Sequence, residues 1–194
     1  MTERFRADVV ECGEFEHDCF TVHIPAWDAA LRRLEGHEAR LLELGSFEGL
    51  SACFLLWRLP DAHLTCVDSF DGFFSSPGLE DRFERNVAVV DAARVRKLTG
   101  KTRDVLPKPI SEGARFDFIY VDASHNALDV LADAALAWQL LEPEGLIAFD
   151  DYGLDRRDPM LNPTVAIDSF LAVVASEAQR VPGGRQLFVR KRPG

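Results

Sequence analysis

Five short apolar runs, each trailed by a longer segment with helical spacing, constrain this chain more than any other feature. The runs are RLLEL (40–44), HLTCV (63–67), VRKLT (95–99), FDFIYV (116–121) and GLIAF (145–149). Each has the length and the apolar or β-branched character of a strand buried on both faces. Between them lie GLSACFLLWRL, LEDRFERNVAVVDAA, the short TRDVLPKPI, which Pro107 is expected to stop, and ALDVLADAALAWQLL. In the last, Leu128, Leu131, Ala135, Trp138 and Leu141 recur at helical spacing, and Pro143 follows the end. A β-α-β-α order of this kind predicts a mostly parallel sheet with helices on both faces.

After GLIAF the pattern changes. A loop from Tyr152 to Pro163 leads to a helix over TVAIDSFLAVVASEA, and two short strands around Gly183-Gly184 read as a closing antiparallel pair at the sheet edge. Residues 1–37 precede the first strand, and IPAWDAALRRL within them reads as an amphipathic helix opened by Pro25. The expectation is one domain over 1–194, with 1–37 as a cap segment and 38–194 as a Rossmann-like core.

The formal charge of −10 leaves little material for a basic nucleic-acid face, so nucleic-acid binding is not expected. Cys12, Cys19, Cys53 and Cys66 are scattered without zinc spacing, and Cys53 and Cys66 lie in apolar surroundings that suit buried thiols. No apolar run reaches transmembrane length, and MTERFRADVVECGEF is too charged for a signal peptide. A reduced, cytoplasmic protein without membrane attachment is expected, and a homodimer is left open.

In open α/β sheets ligands bind beyond the carboxyl ends of the strands. Strand one ends in LLELGSFEGLS, where Gly45 and Gly49 permit tight turning and close backbone approach to a ligand. The loop lacks the G-x-G-x-x-G spacing of dinucleotide folds and the lysine of a P-loop. Glu43 before it suits a cationic ligand better than a phosphate. Strand two ends in CVDSFDG, which places Asp68 where a carboxylate accepts hydrogen bonds from ribose hydroxyls.

E-x-G-x-x-x-G after the first strand, with an acid ending the second, resembles a class I S-adenosylmethionine-dependent methyltransferase. The usual family pattern has glycine where Phe47 stands. Catechol O-methyltransferase and its small-molecule relatives also carry an aromatic there, followed by Gly-x-Ser as in Gly49-Leu50-Ser51. GKTRDVLP (100–107) is similar to the segment that contacts adenine in that group, and the likeness covers roughly residues 38–152. The resemblance implies that Glu43, Gly45, Ser46, Phe47, Gly49 and Ser51 line the methionine part of S-adenosyl-L-methionine and that Asp68 holds the ribose. It places Ser69 and Asp122 on the cofactor side as well, with Thr102, Arg103 and Asp104 near the adenine. Asp104 also reads as an ordinary first-turn helix acid.

Strand four ends at Asp122, and strand five at Asp150-Asp151 in IAFDDYG. Three convergent carboxylates repel one another and need raised pKa values or a bound cation. A hard cation with oxygen ligands, Mg²⁺ above all, relieves that repulsion, whereas zinc would want Cys or His. Asp122, Asp150 and Asp151 also match, one by one, the metal ligands of the catechol and macrocin types of O-methyltransferase. The alternatives are that Asp122 caps the helix beginning near Asn126 and that Asp150 merely begins a turn. Three residues after Asp122, His125 stands where catechol O-methyltransferase has a lysine proposed as general base, and imidazole is the better base near neutral pH. His17 and His23 are placed to reach the substrate mouth, and His37 and His63 read as surface residues. Trp27, Phe73, Phe74 and Tyr152 are candidate walls for an apolar acceptor, each weighed against plain packing.

The expectation is a Mg²⁺-assisted O-methyltransferase acting on a hydroxyl of a small molecule. Its rivals are a metal-independent O- or N-methyltransferase, a non-catalytic cofactor- or nucleotide-binding module, and a nicotinamide oxidoreductase, which the glycine spacing disfavours.

Overall fold

The computed structural model describes residues 1–71, 77–154 and 156–194. The helices are α1 (Thr2–Asp8), α2 (Ile24–Leu31), α3 (Leu50–Arg58), α4 (Leu79–Val90), α5 (Thr102–Val105), α6 (Pro107–Ser111), α7 (Ala127–Leu140) and α8 (Pro163–Val173). The strands are β1 (Arg40–Leu44), β2 (His63–Asp68), β3 (Val95–Thr99), β4 (Phe116–Val121), β5 (Leu141–Phe149), β6 (Ala178–Val181) and β7 (Leu187–Lys191). They form one seven-stranded sheet in the order β3-β2-β1-β4-β5-β7-β6. The pairings from β3 through β5 are parallel, while β7 runs antiparallel to both β5 and β6. This is the Rossmann-like arrangement that the alternating pattern predicts, including the antiparallel pair at one edge.

Two cores sandwich the sheet. Phe5, Phe20, Ile24, Trp27 and Leu31 from the first 37 residues pack with Phe54, Phe118 and Phe188 on one face. On the other, Ile119, Ile147 and Phe149 meet α7 and α8.

Four expectations are corrected in detail. Pro107 does not stop the segment after β3 but opens α6 at a first-turn position, where its missing N–H costs nothing. On α7 the spacing holds for Trp138, which is buried, but Leu128 is 62% exposed and Ala135 is exposed, while Ala127, Val130, Ala134 and Ala137 are buried. Alanines face the sheet because they let the helix sit close to it. Strand β5 starts at Leu141, directly after α7, and its register with β4 shifts across Glu142–Gly145. A Cβ at Gly145 would stand 2.8 Å from the Glu142 carbonyl, so this irregular stretch closes tightly on itself. Finally α8 ends at Val173, because Ala178 is taken up by pairing with Lys191 of β7.

Candidate functional site

The sheet reverses its strand order between β1 and β4, and the loops leaving β1 to β5 meet above that point. Each following residue extends a ladder: Gly45 N–H donates to Val67 O (2.8 Å), Gly100 to Asp68 (2.8 Å), Asp122 to Leu44 (2.8 Å) and Asp150 to Val121 (3.0 Å). The loops are thereby fixed side by side along one edge. Gly45 holds a left-handed φ of 86°, and a Cβ there would lie 2.2 Å from the backbone oxygen of Asp122. Its small size serves this loop-to-loop contact. Gly49, also left-handed, lies under the Phe83 ring. Between them Phe47 adopts φ 47°, a conformation that glycine takes without strain. The departure from the family's glycine thus changes the side chain while the backbone keeps a glycine-like shape.

A cleft opens over this point, lined by Gly45, Asp68, Ser69, Lys101, Thr102 and Arg103, with Ala123 and Asp133 among its further walls. Asp68 accepts the backbone N–H groups of Ser46 (2.7 Å) and Phe47 (2.8 Å) on one oxygen and that of Phe70 (2.7 Å) on the other. It therefore staples the β1 loop to β2 and still presents its carboxylate in the cleft. Asp104 is exposed and is not among the cleft residues, which leaves its plain helix-acid reading.

Glu43 does not face the cleft. It has no exposed surface, accepts the Ser51 hydroxyl at 2.5 Å, and sits in register between Cys66 and Tyr120. Burial pushes its carboxyl up to about 7. It supports the loop from below, and the expectation that it lines the ligand is corrected accordingly. Ser46 is buried, its hydroxyl without a hydrogen-bond partner.

Residues invisible to the sequence reading complete this part. Asp133 of α7 is 1% exposed; one oxygen accepts the Thr102 hydroxyl and the other has no partner. Burial raises its carboxyl to about 6. Glu48, also buried, accepts the backbone N–H groups of Glu16 (2.9 Å) and His17 (3.2 Å) and pairs with Arg82 (2.8 Å), tying the N-terminal segment and α4 to the β1 loop. An acid inside the glycine loop was the only signal for it.

Beside the cleft, ligand atoms of Asp122, Asp151 and His125 lie within 4.8 Å of one another. His125 Nε2 is 2.5 Å from Asp151, whose hydrogen bond and charge raise the imidazole pKa. Burial, then the charges of Asp150 and Asp151, push the Asp122 carboxyl well above the usual range. Asp150 lies outside the 4.8 Å group, with one oxygen accepting from Gln186 at 2.5 Å. Helix α7 is capped by Asn126, which accepts the Leu128 N–H (3.0 Å), so Asp122 is not its cap. Asp151 is held at φ 54°, a strained conformation for a non-glycine residue. Cation-binding chemistry fits this set: crowded carboxylates, one with raised proton affinity, beside the cleft residues Ala123 and Ser124.

His23 is half-buried, and burial lowers its pKa against the opposing charges of Asp150 and Asp151. His17 packs against Phe47 with ring centroids 5.7 Å apart. His37 and His63 are exposed, His63 as the first residue of β2. Trp27 is fully buried in the core and forms no acceptor wall, while Tyr152 is half-buried and bonds Asp168 (3.0 Å) under Arg180. Phe73 and Phe74 lie outside the described residues.

This topology and loop edge define the class I methyltransferase fold. Similar solved structures include TomG of Streptomyces achromogenes, an O-methyltransferase in complex with SAM, at TM-score 0.65 and 23% identity over 87% of this chain and 79% of that one. MycE of mycinamycin biosynthesis, solved with Mg, SAH and mycinamycin VI, gives TM-score 0.68 at 17% identity, covering 91% of this chain and 51% of its own. The mimivirus protein R132, from Acanthamoeba polyphaga mimivirus, is 23% identical over 75% of this chain, which spans 66% of its length, just under two thirds. The methyltransferase domain family matches residues 42–152, and the chain belongs to it.

Proposed function

We propose that this protein is an S-adenosyl-L-methionine-dependent O-methyltransferase, assisted by Mg²⁺, acting on a hydroxyl of a small molecule. The observation that carries the reading is the convergence of Asp122, Asp151 and His125 within 4.8 Å beside a cleft edged by Asp68 and Gly45. TomG with SAM and MycE with Mg and SAH share the fold and lend support. When bound, the cofactor supplies an electrophilic methyl group and the cation supplies positive charge next to the acceptor oxygen.

The chain's own residues do the rest. Asp68 and Ser69 hold the ribose, Thr102 and Arg103 flank the adenine, and the Gly45–Ser51 loop encloses the methionine end. Asp122 and Asp151, with Asp150 beside them, hold the cation. His125 Nε2 accepts the acceptor's proton once it is released from Asp151, which requires neutral imidazole. The nearby His23 belongs to the acceptor side. We further propose one domain over residues 1–194 and a cytoplasmic location; among the described residues no helix is long and apolar enough to cross a membrane.

A metal-independent O- or N-methyltransferase is the second reading. It draws on the partners that Asp150 and Asp151 already have in Gln186 and His125. Turnover with a panel of hydroxylated acceptors, read as S-adenosylhomocysteine formed, decides between the two. Loss of turnover in EDTA, restored by Mg²⁺, supports the first reading; full activity in EDTA supports the second.

A further inference from the structure

A buried hydrogen-bond chain runs from the N-terminal segment to the acids at the cleft. Trp27 Nε1 donates to Gln186 Oε1 (2.6 Å), and Gln186 Nε2 donates to Asp150 (2.5 Å) and to the Tyr120 hydroxyl (3.2 Å). Tyr120 in turn donates to Asp122 (3.0 Å). The direction of every bond is fixed by chemistry. An indole N–H can only donate, so the amide oxygen of Gln186 must face Trp27 and its nitrogen must face the carboxylate. The Tyr120 oxygen accepts from that nitrogen, which leaves its single proton for Asp122.

Gln186 is 4% exposed, and these contacts use its amide oxygen and both amide hydrogens. Its position is built as well. It stands just before β7 in a turn closed so tightly that a Cβ at Gly183 would lie 2.1 Å from the Phe188 ring and 2.6 Å from the Gln186 carbonyl. Tyr120 and Trp27 are also buried, with rings 4.8 Å apart. Asp150 and Asp122 thus each receive a hydrogen bond from a neutral donor whose orientation the core determines.

We propose that Gln186 is the positioning residue of the cation site, setting the orientation of Asp150 directly and that of Asp122 through Tyr120. The inference rests on the cation reading above and deepens it. A carboxylate held on one oxygen by a fixed donor keeps its other oxygen aimed and available, and partners of this kind change metal affinity when removed. Coupling to Trp27 also links the N-terminal segment to the geometry of the site.

The test is Mn²⁺ binding by loss of the free-ion paramagnetic resonance signal, on the full chain. Gln186→Met keeps the length and removes the donors, and Tyr120→Phe keeps the ring and removes the proton given to Asp122. Expected is a Kd for Mn²⁺ raised about 10- to 100-fold in Gln186→Met and by a smaller factor in Tyr120→Phe. S-adenosylhomocysteine affinity should stay within about twofold, which loss of fold would not allow. If Gln186→Met fails to fold, Tyr120→Phe carries the test alone. Equal or tighter Mn²⁺ binding in the folded variants overturns the positioning role while leaving the cation site in place. No Mn²⁺ binding by the parent overturns the cation reading, and the positioning role with it.

Discussion

Asp133 and His125 show how the surroundings of single side chains shift their proton affinity. Asp133 is buried on α7 with one unpartnered oxygen, and its carboxyl is raised from the ordinary 3.8 to about 6. A raised carboxyl means that the folded state binds more protons than the unfolded state between those two values. Stability from this group is therefore present at low pH and lost as pH rises toward 6 and beyond, by about 3 kcal/mol. Asp133→Asn keeps an acceptor for Thr102 and removes the titration. Urea unfolding of the two proteins should show the variant gaining about 2 kcal/mol relative to the parent between pH 4 and pH 7; parallel curves would mean that the group ionises freely. His125→Ala should lower methyl transfer about 10²- to 10⁴-fold with little change in cofactor affinity. The parent's rate should climb with pH as the imidazole loses its proton, and that limb should vanish in the variant. An unaltered pH–rate profile would reduce His125 to a loop residue.

At the scale of elements, Glu48 joins three of them with one buried carboxylate. Glu48→Ala leaves two backbone N–H groups and Arg82 short of a partner, at a cost of roughly 1–3 kcal/mol. Hydrogen exchange should quicken at the Glu16 and His17 amides while β1 and β4 stay protected; unchanged exchange there would show that the N-terminal segment is held by its apolar contacts. Elements were also where the sequence was most readable. RLLEL, VRKLT and FDFIYV are β1, β3 and β4 to the residue; the central β1 and β4 follow from mostly apolar, buried runs, while β3, at the sheet edge and without a fully buried residue, is marked by its short β-branched ends. What failed was governed by contacts across the fold. Leucine spacing pointed to the wrong face of α7, since alanines made the close approach, and the α8 end depended on β7 claiming Ala178. In the site, acids ending strands could be found from topology alone. Gln186, Tyr120 and Asp133 could not, because nothing in their sequence neighbourhoods announces partners 31 to 159 residues away.

The whole molecule brings five strand-end loops and the N-terminal segment to one edge of a parallel sheet. Asp68 is fixed there by three backbone N–H groups, the Thr102–Asp133 pair closes the far wall, and the acids gather at the near side. Such an edge is suited to an extended ligand with a nucleoside at one end and a reacting centre at the other. The glycine spacing lacks the dinucleotide fingerprint, so the same edge should reject a pyrophosphate-bridged cofactor. Titration calorimetry of the parent protein with S-adenosylhomocysteine and, separately, with NAD tests this most directly. The predicted result is a one-to-one complex with S-adenosylhomocysteine at micromolar Kd or tighter, about −8 kcal/mol, and no measurable heat with NAD. A folded protein that binds NAD, or that binds neither, would contradict the account.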